Sequence, residues 1–182
     1  MTIEQFHAWL DARAAQLAYD EPKWELFSGV PEMQSSEQWI HGRVKVQVWL
    51  AFRDAIARSG LPLEAALDSI GVAIGANEEY VPELVVFPAG EIADHDRQAP
   101  DPLIVVEVLS PSSRAKDLNT KVAGYGRVPT IRHYLVFDPQ SREIIHVERV
   151  ADALVRREPS ITSGMLRLDP PGLEIDVGAC FG

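Results

Sequence analysis

At 182 residues, with 46% hydrophobic and 24% charged side chains, the chain has the length and composition of one folded domain with a sizeable core, which excludes a disordered polymer. Its 17 basic residues against 27 acidic ones leave a net charge of −10, which works against a protein that holds phosphate backbones by bulk attraction alone. One cysteine, Cys180, removes both a disulfide framework and a cysteine-based zinc site within the chain and fits a reducing cytoplasm.

The opening MTIEQFHAWLDARAAQ lacks the basic start and apolar centre of a signal peptide, and no segment approaches membrane-spanning length. Phe6, Leu10, Ala14 and Leu17 recur at helical spacing behind a Thr2 to Gln5 capping box, which predicts a helix from Ile3 to about Ala18. WELFSGVPEM, Trp24 to Met33, predicts a hairpin turned at Ser28-Gly29. Ser35 or Ser36 then caps a long amphipathic helix that runs to Arg58 and is closed by Ser59-Gly60, with Ile40, Val44, Val48 and Ala51 on one stripe. Between Pro62 and Pro88 the blocks LEAALD, IGVAIG and VPELVVFP read as strands. The polar stretch GEIADHDRQAPDP is a loop before a strand over Leu103 to Leu109. A helix from about Ser113 to Gly126 follows, then IRHYLVFDP and REIIHVERV as a hairpin turned at Pro139-Gln140-Ser141. ALVRRE and LEIDVG add one or two short strands, the second entered through Pro170-Pro171-Gly172. This order predicts a single α/β or α+β domain with a mixed, strongly curved sheet flanked by helices.

An acid interrupts the most apolar of these strands. Glu107 shares a face with Val105 and Leu109. An ionised carboxylate left unpaired there would cost several kcal/mol. Three readings follow: Glu107 lies at the strand's open end, pairs with a cation, or binds a metal. The VPELVVFP strand carries its own acid, Glu83, beside another apolar run. If the two strands are neighbours, two carboxylates converge, which is tolerable mainly around a cation. The plain alternative is that each acid sits in water at a strand mouth or meets an arginine. Asp117, Lys121 and Tyr125 follow at four-residue spacing on one helix face. They form either a solvated ion-paired face or a lysine leaning over the strand ends, an arrangement suited to metal-assisted phosphodiester hydrolysis.

The order of WELFSGVPEM, a helix carrying His41, VPELVVFP, PLIVVEVLSPSSRAKDLNTKVAGYG and IRHYLVFDP resembles the Uma-two family of restriction-endonuclease-like proteins, a branch of the PD-(D/E)xK nuclease superfamily. The resemblance covers about Trp24 to Glu148, and the EVLSPS block with its D-L-x-x-K helix is its most specific part. It implies a restriction-endonuclease-like core over residues 23–150, between an N-terminal helix (1–22) and a C-terminal β extension (151–182). It implies Mg²⁺ or Mn²⁺ held by Glu83, Glu107 and the Val108 carbonyl, with Lys121 completing a catalytic set of Glu83, Glu107 and Lys121. Leu109 stands where relatives outside this branch place their lysine. Glu25 matches a family acid near the site, while His41, Asp117 and Tyr125 match supporting positions. DNA is the implied substrate, and a homodimer is the expected assembly.

Glu83 stands where the family usually has aspartate, one methylene shorter, and site tolerances are about 0.5 Å. That departure motivates a rival reading, a nuclease fold that has lost turnover and binds a partner through its tryptophan-bearing helices. His95 is expected in a solvated loop, and His133 and His146 on the surface of their hairpin. Ser110, Ser112 and Ser113 are expected in turn and capping roles, since no glycine-flanked elbow surrounds them. No phosphate-binding glycine loop implies a nucleotide cofactor.

Overall fold

The structure, a computed structural model, describes residues 1–16, 22–34, 38–111 and 113–182. Three strands form its centre: β6 (Leu84–Pro88), β7 (Ile104–Val108) and β8 (His133–Asp138). Their β-branched and aromatic residues are buried on both faces, as near-continuous apolar runs predict. The pair β6–β7 is antiparallel and β7–β8 parallel, so the sheet is mixed. With β3 (Leu63–Leu67), β9 (Glu143–Val150) and β10 (Ala153–Arg156) it forms six strands in the order β10-β9-β8-β7-β6-β3. A second sheet of four strands, β2-β1-β5-β4, combines the hairpin β1 (Trp24–Phe27) and β2 (Val30–Met33) with β4 (Val72–Gly75) and β5 (Glu78–Tyr80).

Alternation along β7 and β8 supplies two cores. On one face Val106, Val108, Leu135 and Phe137 meet Val44, Val48, Phe52 and Ala55 of α2 (Trp39–Ser59). The same core takes in Leu166 and Leu168 of β11 (Met165–Leu168), Leu173 and Ile175 of β12 (Leu173–Asp176), and Phe181 of α4 (Val177–Phe181). On the other face Val105, Leu109, Tyr134 and Val136 pack with Tyr80 and Tyr125. Tyr125 belongs to α3 (Lys121–Gly126), which continues directly from a π-helical turn over Lys116–Thr120. Helix α1 (Ile3–Ala14) docks on the four-stranded sheet through buried Phe6, the Ile3 N–H bond to the Ala76 carbonyl and an edge-on Trp9–Trp24 contact.

Most predicted elements appear near their predicted bounds. The α1 capping box is present, and Gly60 closes α2 at φ 67°, in the left-handed region that glycine favours. Leu17, Ala18, Ser35, Ser36 and Ser112 lie outside the described residues. Strand β5 escaped the sequence reading because Glu-Glu-Tyr has no apolar period, and β11 because four residues carry too little of one.

Two expectations are corrected. The buried face of α2 runs through His41, Val44, Lys45, Val48, Phe52 and Ala55, while Ile40 is exposed. Hydrophobicity rotated the predicted stripe away from two polar residues that the fold turns inward. His133 and His146 are buried rather than on the surface. His133 Nε2 donates to the Pro170 carbonyl at 2.9 Å and its Nδ1 lies 3.0 Å from His146 Nε2, so the C-terminal turn covers them. Burial pushes both imidazoles down, His146 to about 4. Among the described residues, no helix is long and apolar enough to cross a membrane.

Gly124 fixes how closely α3 approaches the second sheet. A Cβ there would meet the Tyr80 ring and lie 2.7 Å from its Oη. That ring is fully buried between Phe27 and Tyr125 and has no room to turn aside. Gly124→Ala should therefore destabilise the fold by about 1–3 kcal/mol, the usual cost of overpacking, read as a lower urea midpoint at unchanged slope. An unchanged midpoint would mean that the Tyr80 ring yields freely.

Candidate active site

Antiparallel pairing of β6 with β7 puts Leu84 opposite Val106, so Glu83 and Glu107 stand at adjacent strand ends. The condition for two converging carboxylates, that their strands be neighbours, is thus met. The Glu107 carboxylate is buried and receives Lys121 Nζ at 2.7 Å and the Tyr125 hydroxyl at 3.0 Å, both on Oε1. Of the readings left open for Glu107, pairing with a cation holds in the structure. Lys121 also meets Glu25 Oε1 at 2.9 Å and lies 3.8 Å from Asp117 Oδ1. Glu25 is placed by the β1 strand and takes a further bond from the Val81 N–H at 3.0 Å. Asp117, Lys121 and Tyr125 are all buried, which overturns the solvated-face alternative. The π turn delivers them: the Lys121 N–H bonds back to the Lys116 carbonyl, five residues earlier.

Glu83 is served by α2. Lys45 Nζ lies 2.5 Å from Glu83 Oε2 but off the hydrogen-bonding direction, so that oxygen has an ion pair and no formed hydrogen bond. Lys45 donates instead to Asp68 Oδ2 at 2.7 Å, and Lys23 contacts the other Asp68 oxygen. His41 Nε2 donates to the Val108 carbonyl at 2.6 Å and lies 3.6 Å from Glu83 Oε1. The sequence placed Lys121 close to both strand acids, whereas in the structure Glu83 is met by Lys45. Lys45 and Asp68 were missed. The available signal was that Lys45 sits one turn after His41, on a helix whose other inward positions are apolar.

Glu25, His41, Glu83, Glu107, Val108, Asp117 and Lys121 all line one cleft of about 120 Å³. Tyr125 lies behind it against Glu107. Ser110 and Ser113 exchange backbone-to-side-chain bonds that shape the turn from β7 into the helix. His95 is exposed in its loop.

The charges do not balance. Among the described residues, five carboxylates, Glu25, Asp68, Glu83, Glu107 and Asp117, face the ammonium groups of Lys23, Lys45 and Lys121, an excess of two negative charges if all are ionised. Burial pushes the Glu107 carboxyl well above the usual carboxylate range; Asp117, Glu25 and Glu83 add to that while Lys121 opposes it. Burial likewise raises Asp117. For Lys121, burial favours the neutral amine, but Glu107, Glu25 and Asp117 outweigh it and raise its pKa.

A divalent cation fits this donor set. Glu83, Glu107 and the Val108 carbonyl are hard oxygen donors, and Glu83 Oε2 and Asp117 Oδ1 are buried without hydrogen-bond partners. No three His, Cys, Asp or Glu side chains form a complete cage among the described residues. Mg²⁺ needs none, since it commonly takes one or two carboxylates and keeps several waters. The folded protein holds the Glu107 proton more tightly than the unfolded chain, whose carboxyl titrates near 4.5. Its contribution to stability is therefore full below pH 4.5 and is lost as pH rises through the folded value. In chelator-treated protein, denaturation midpoints should fall with rising pH more steeply for wild type than for Glu107→Gln. Parallel profiles would mean that Glu107 ionises without penalty.

The Uma2 family model, described as "Putative restriction endonuclease", matches residues 3–178. None of the curated proteins compared is similar enough to count as a match. Among solved structures, the chain is similar to that of a "putative nuclease belonging to DUF820" from Anabaena variabilis ATCC 29413, with a TM-score of 0.70 and 14% identity, covering 100% of this chain and 97% of that one. At that identity the likeness is one of fold: a mixed α+β architecture shared over the whole chain. With the family match spanning nearly every residue and the fold in agreement, the chain belongs to the Uma2 family of restriction-endonuclease-like proteins.

Proposed function

We propose that the protein is a metal-dependent endonuclease that hydrolyses DNA phosphodiester bonds, with Glu83, Glu107 and the Val108 carbonyl holding Mg²⁺ or Mn²⁺. The observation that carries this reading is the meeting of Glu83, Glu107, Val108 and Lys121 in one cleft at paired strand ends. A divalent cation, when bound, contributes Lewis acidity toward a phosphodiester oxygen and makes water more acidic. The chain's own groups do the rest. Lys121, held charged by its carboxylates, stabilises negative charge gathering on phosphorus and orients the attacking water. Tyr125 and Lys121 together fix the Glu107 carboxylate in one orientation through Oε1. Glu25 and Asp117 hold Lys121 over the cleft from two other elements.

The overall charge of −10 puts the burden of phosphate binding on local groups. Lys116 on the cleft wall, paired with Glu32 at 2.6 Å, is one of them. A groove shared by two copies of the chain would supply more. DNA binding should accordingly be weak and salt-sensitive.

A second reading has its own support. His41 and Lys45 already engage the Val108 carbonyl and Glu83, which suits a nuclease fold that has lost turnover and serves as a homodimeric binding module. Trp39, 84% exposed at the start of α2, is a surface anchor for such a role.

Supercoiled plasmid incubated with the protein and Mn²⁺ should be nicked, and Glu107→Ala should reduce the rate by roughly 10²–10³-fold, the scale for losing one transition-state contact. Equal nicking by the variant would remove Glu107 from the reaction. No nicking by wild type, together with no Mn²⁺-dependent rise in melting temperature, would favour the binding module.

A further inference from the structure

Two of the donors that a metal would need are both engaged by α2. His41 Nε2 reaches the Val108 carbonyl at 2.6 Å and, four residues on, Lys45 Nζ reaches Glu83 Oε2 at 2.5 Å. Residues four apart share a helix face, so one helix lays two donors across the opening between β6 and β7. Lys45 is only 6% exposed, and an ammonium so buried depends on its carboxylates.

Those carboxylates are unequal. Asp68 Oδ2 accepts a formed hydrogen bond from Lys45, whereas Glu83 Oε2 accepts none. Asp68 is also built in. It stands at φ 53°, a left-handed conformation that aspartate tolerates better than most residues, and its N–H bonds to the Glu83 carbonyl at 3.0 Å. The backbone thus places a second acceptor for Lys45 directly beside Glu83.

We propose that Lys45 is an internal counter-ion that exchanges with a divalent cation at Glu83. In the metal-free protein Lys45 bridges Glu83 and Asp68. When a cation binds, Lys45 leaves Glu83 and stays on Asp68, its better hydrogen-bonded partner. This rests on the metal-dependent reading above and adds what sets the site's affinity: the cation competes with an ammonium already in place. Lys45 is a positioning residue here and touches no substrate. Asp68 assists the exchange by keeping Lys45 compensated after Glu83 is surrendered.

The test is calorimetric titration of Mn²⁺ into wild type, Lys45→Met, Asp68→Asn and Glu107→Gln, with a thermal melt of each to establish folding. Removing the competing ammonium should tighten Mn²⁺ binding by roughly tenfold or more, and removing the negative charge of its alternative acceptor should weaken binding by a similar factor. Opposite signs separate exchange from a merely structural role, in which both substitutions loosen the cleft and weaken binding. If Lys45→Met does not fold, Lys45→Gln carries the same test. Wild-type binding that Glu107→Gln abolishes but that Lys45 variants leave unchanged or weaken would overturn the exchange and spare the metal reading. No Mn²⁺ binding to wild type or to the Lys45 variants would overturn both. Binding gained by Lys45→Met where wild type has none would support the exchange in its strongest form.

Discussion

Five acids crowd one end of a buried sheet, and the rest of the site is arranged around the need to compensate them. In water such a cluster would be screened; in a cleft walled by buried strands it is not, so each carboxylate must find a cation or keep a proton. Lys121 answers for Glu107, Glu25 and Asp117, and Lys45 for Glu83 and Asp68. The two lysines differ in kind. Among the described residues, Lys121 is tied to three carboxylates at unequal distances and has a formed bond to Glu107, while Lys45 spans Glu83 and Asp68 with a formed bond to Asp68.

The fold meets this need by bringing each cation in from a different layer. Helix α2 uses Val44, Val48, Phe52 and Ala55 to grip one face of the sheet, and the same turns that anchor it carry His41 and Lys45 to the strand ends. The π turn and α3 approach from the other face, where Gly124 permits the close contact with Tyr80 that sets the depth of Lys121. The second sheet adds Glu25 through β1. Core packing and site geometry are therefore the same interactions viewed from two ends: a shift in either helix moves a buried charge away from its partners.

That coupling bears on how the site would handle a doubly charged ion. Among the described residues an excess of two negative charges is costly without one, and burial already raises the Glu107 and Asp117 carboxyls toward proton uptake. A cleft that took up a divalent cation in place of protons, as proposed, would suit chemistry on phosphodiesters, where positive charge must be present as negative charge builds on phosphorus. The acidic exterior works the other way and confines attraction for a polyanion to the neighbourhood of the cleft.

The sequence by itself determined the central strands, the long helix and the identity of most acids in the cleft. Period-two and unbroken apolar runs specify β6, β7 and β8 through local chemistry, and Glu107 announced itself because a carboxylate within such a run needs a partner. The spacing of Asp117, Lys121 and Tyr125 likewise placed three groups on one face. What the sequence left open was the direction of that face, since the same spacing serves a solvated helix as well as a buried one. Lys45, Asp68, His133 and His146 escaped the sequence reading for a related reason: each is a polar residue whose inward placement depends on partners 13 to 37 residues distant in sequence. Only the tertiary structure decided which lysine answers which acid, because ion pairing depends on where β6, β7, α2 and the π turn meet in space, and no local pattern in the chain encodes that meeting.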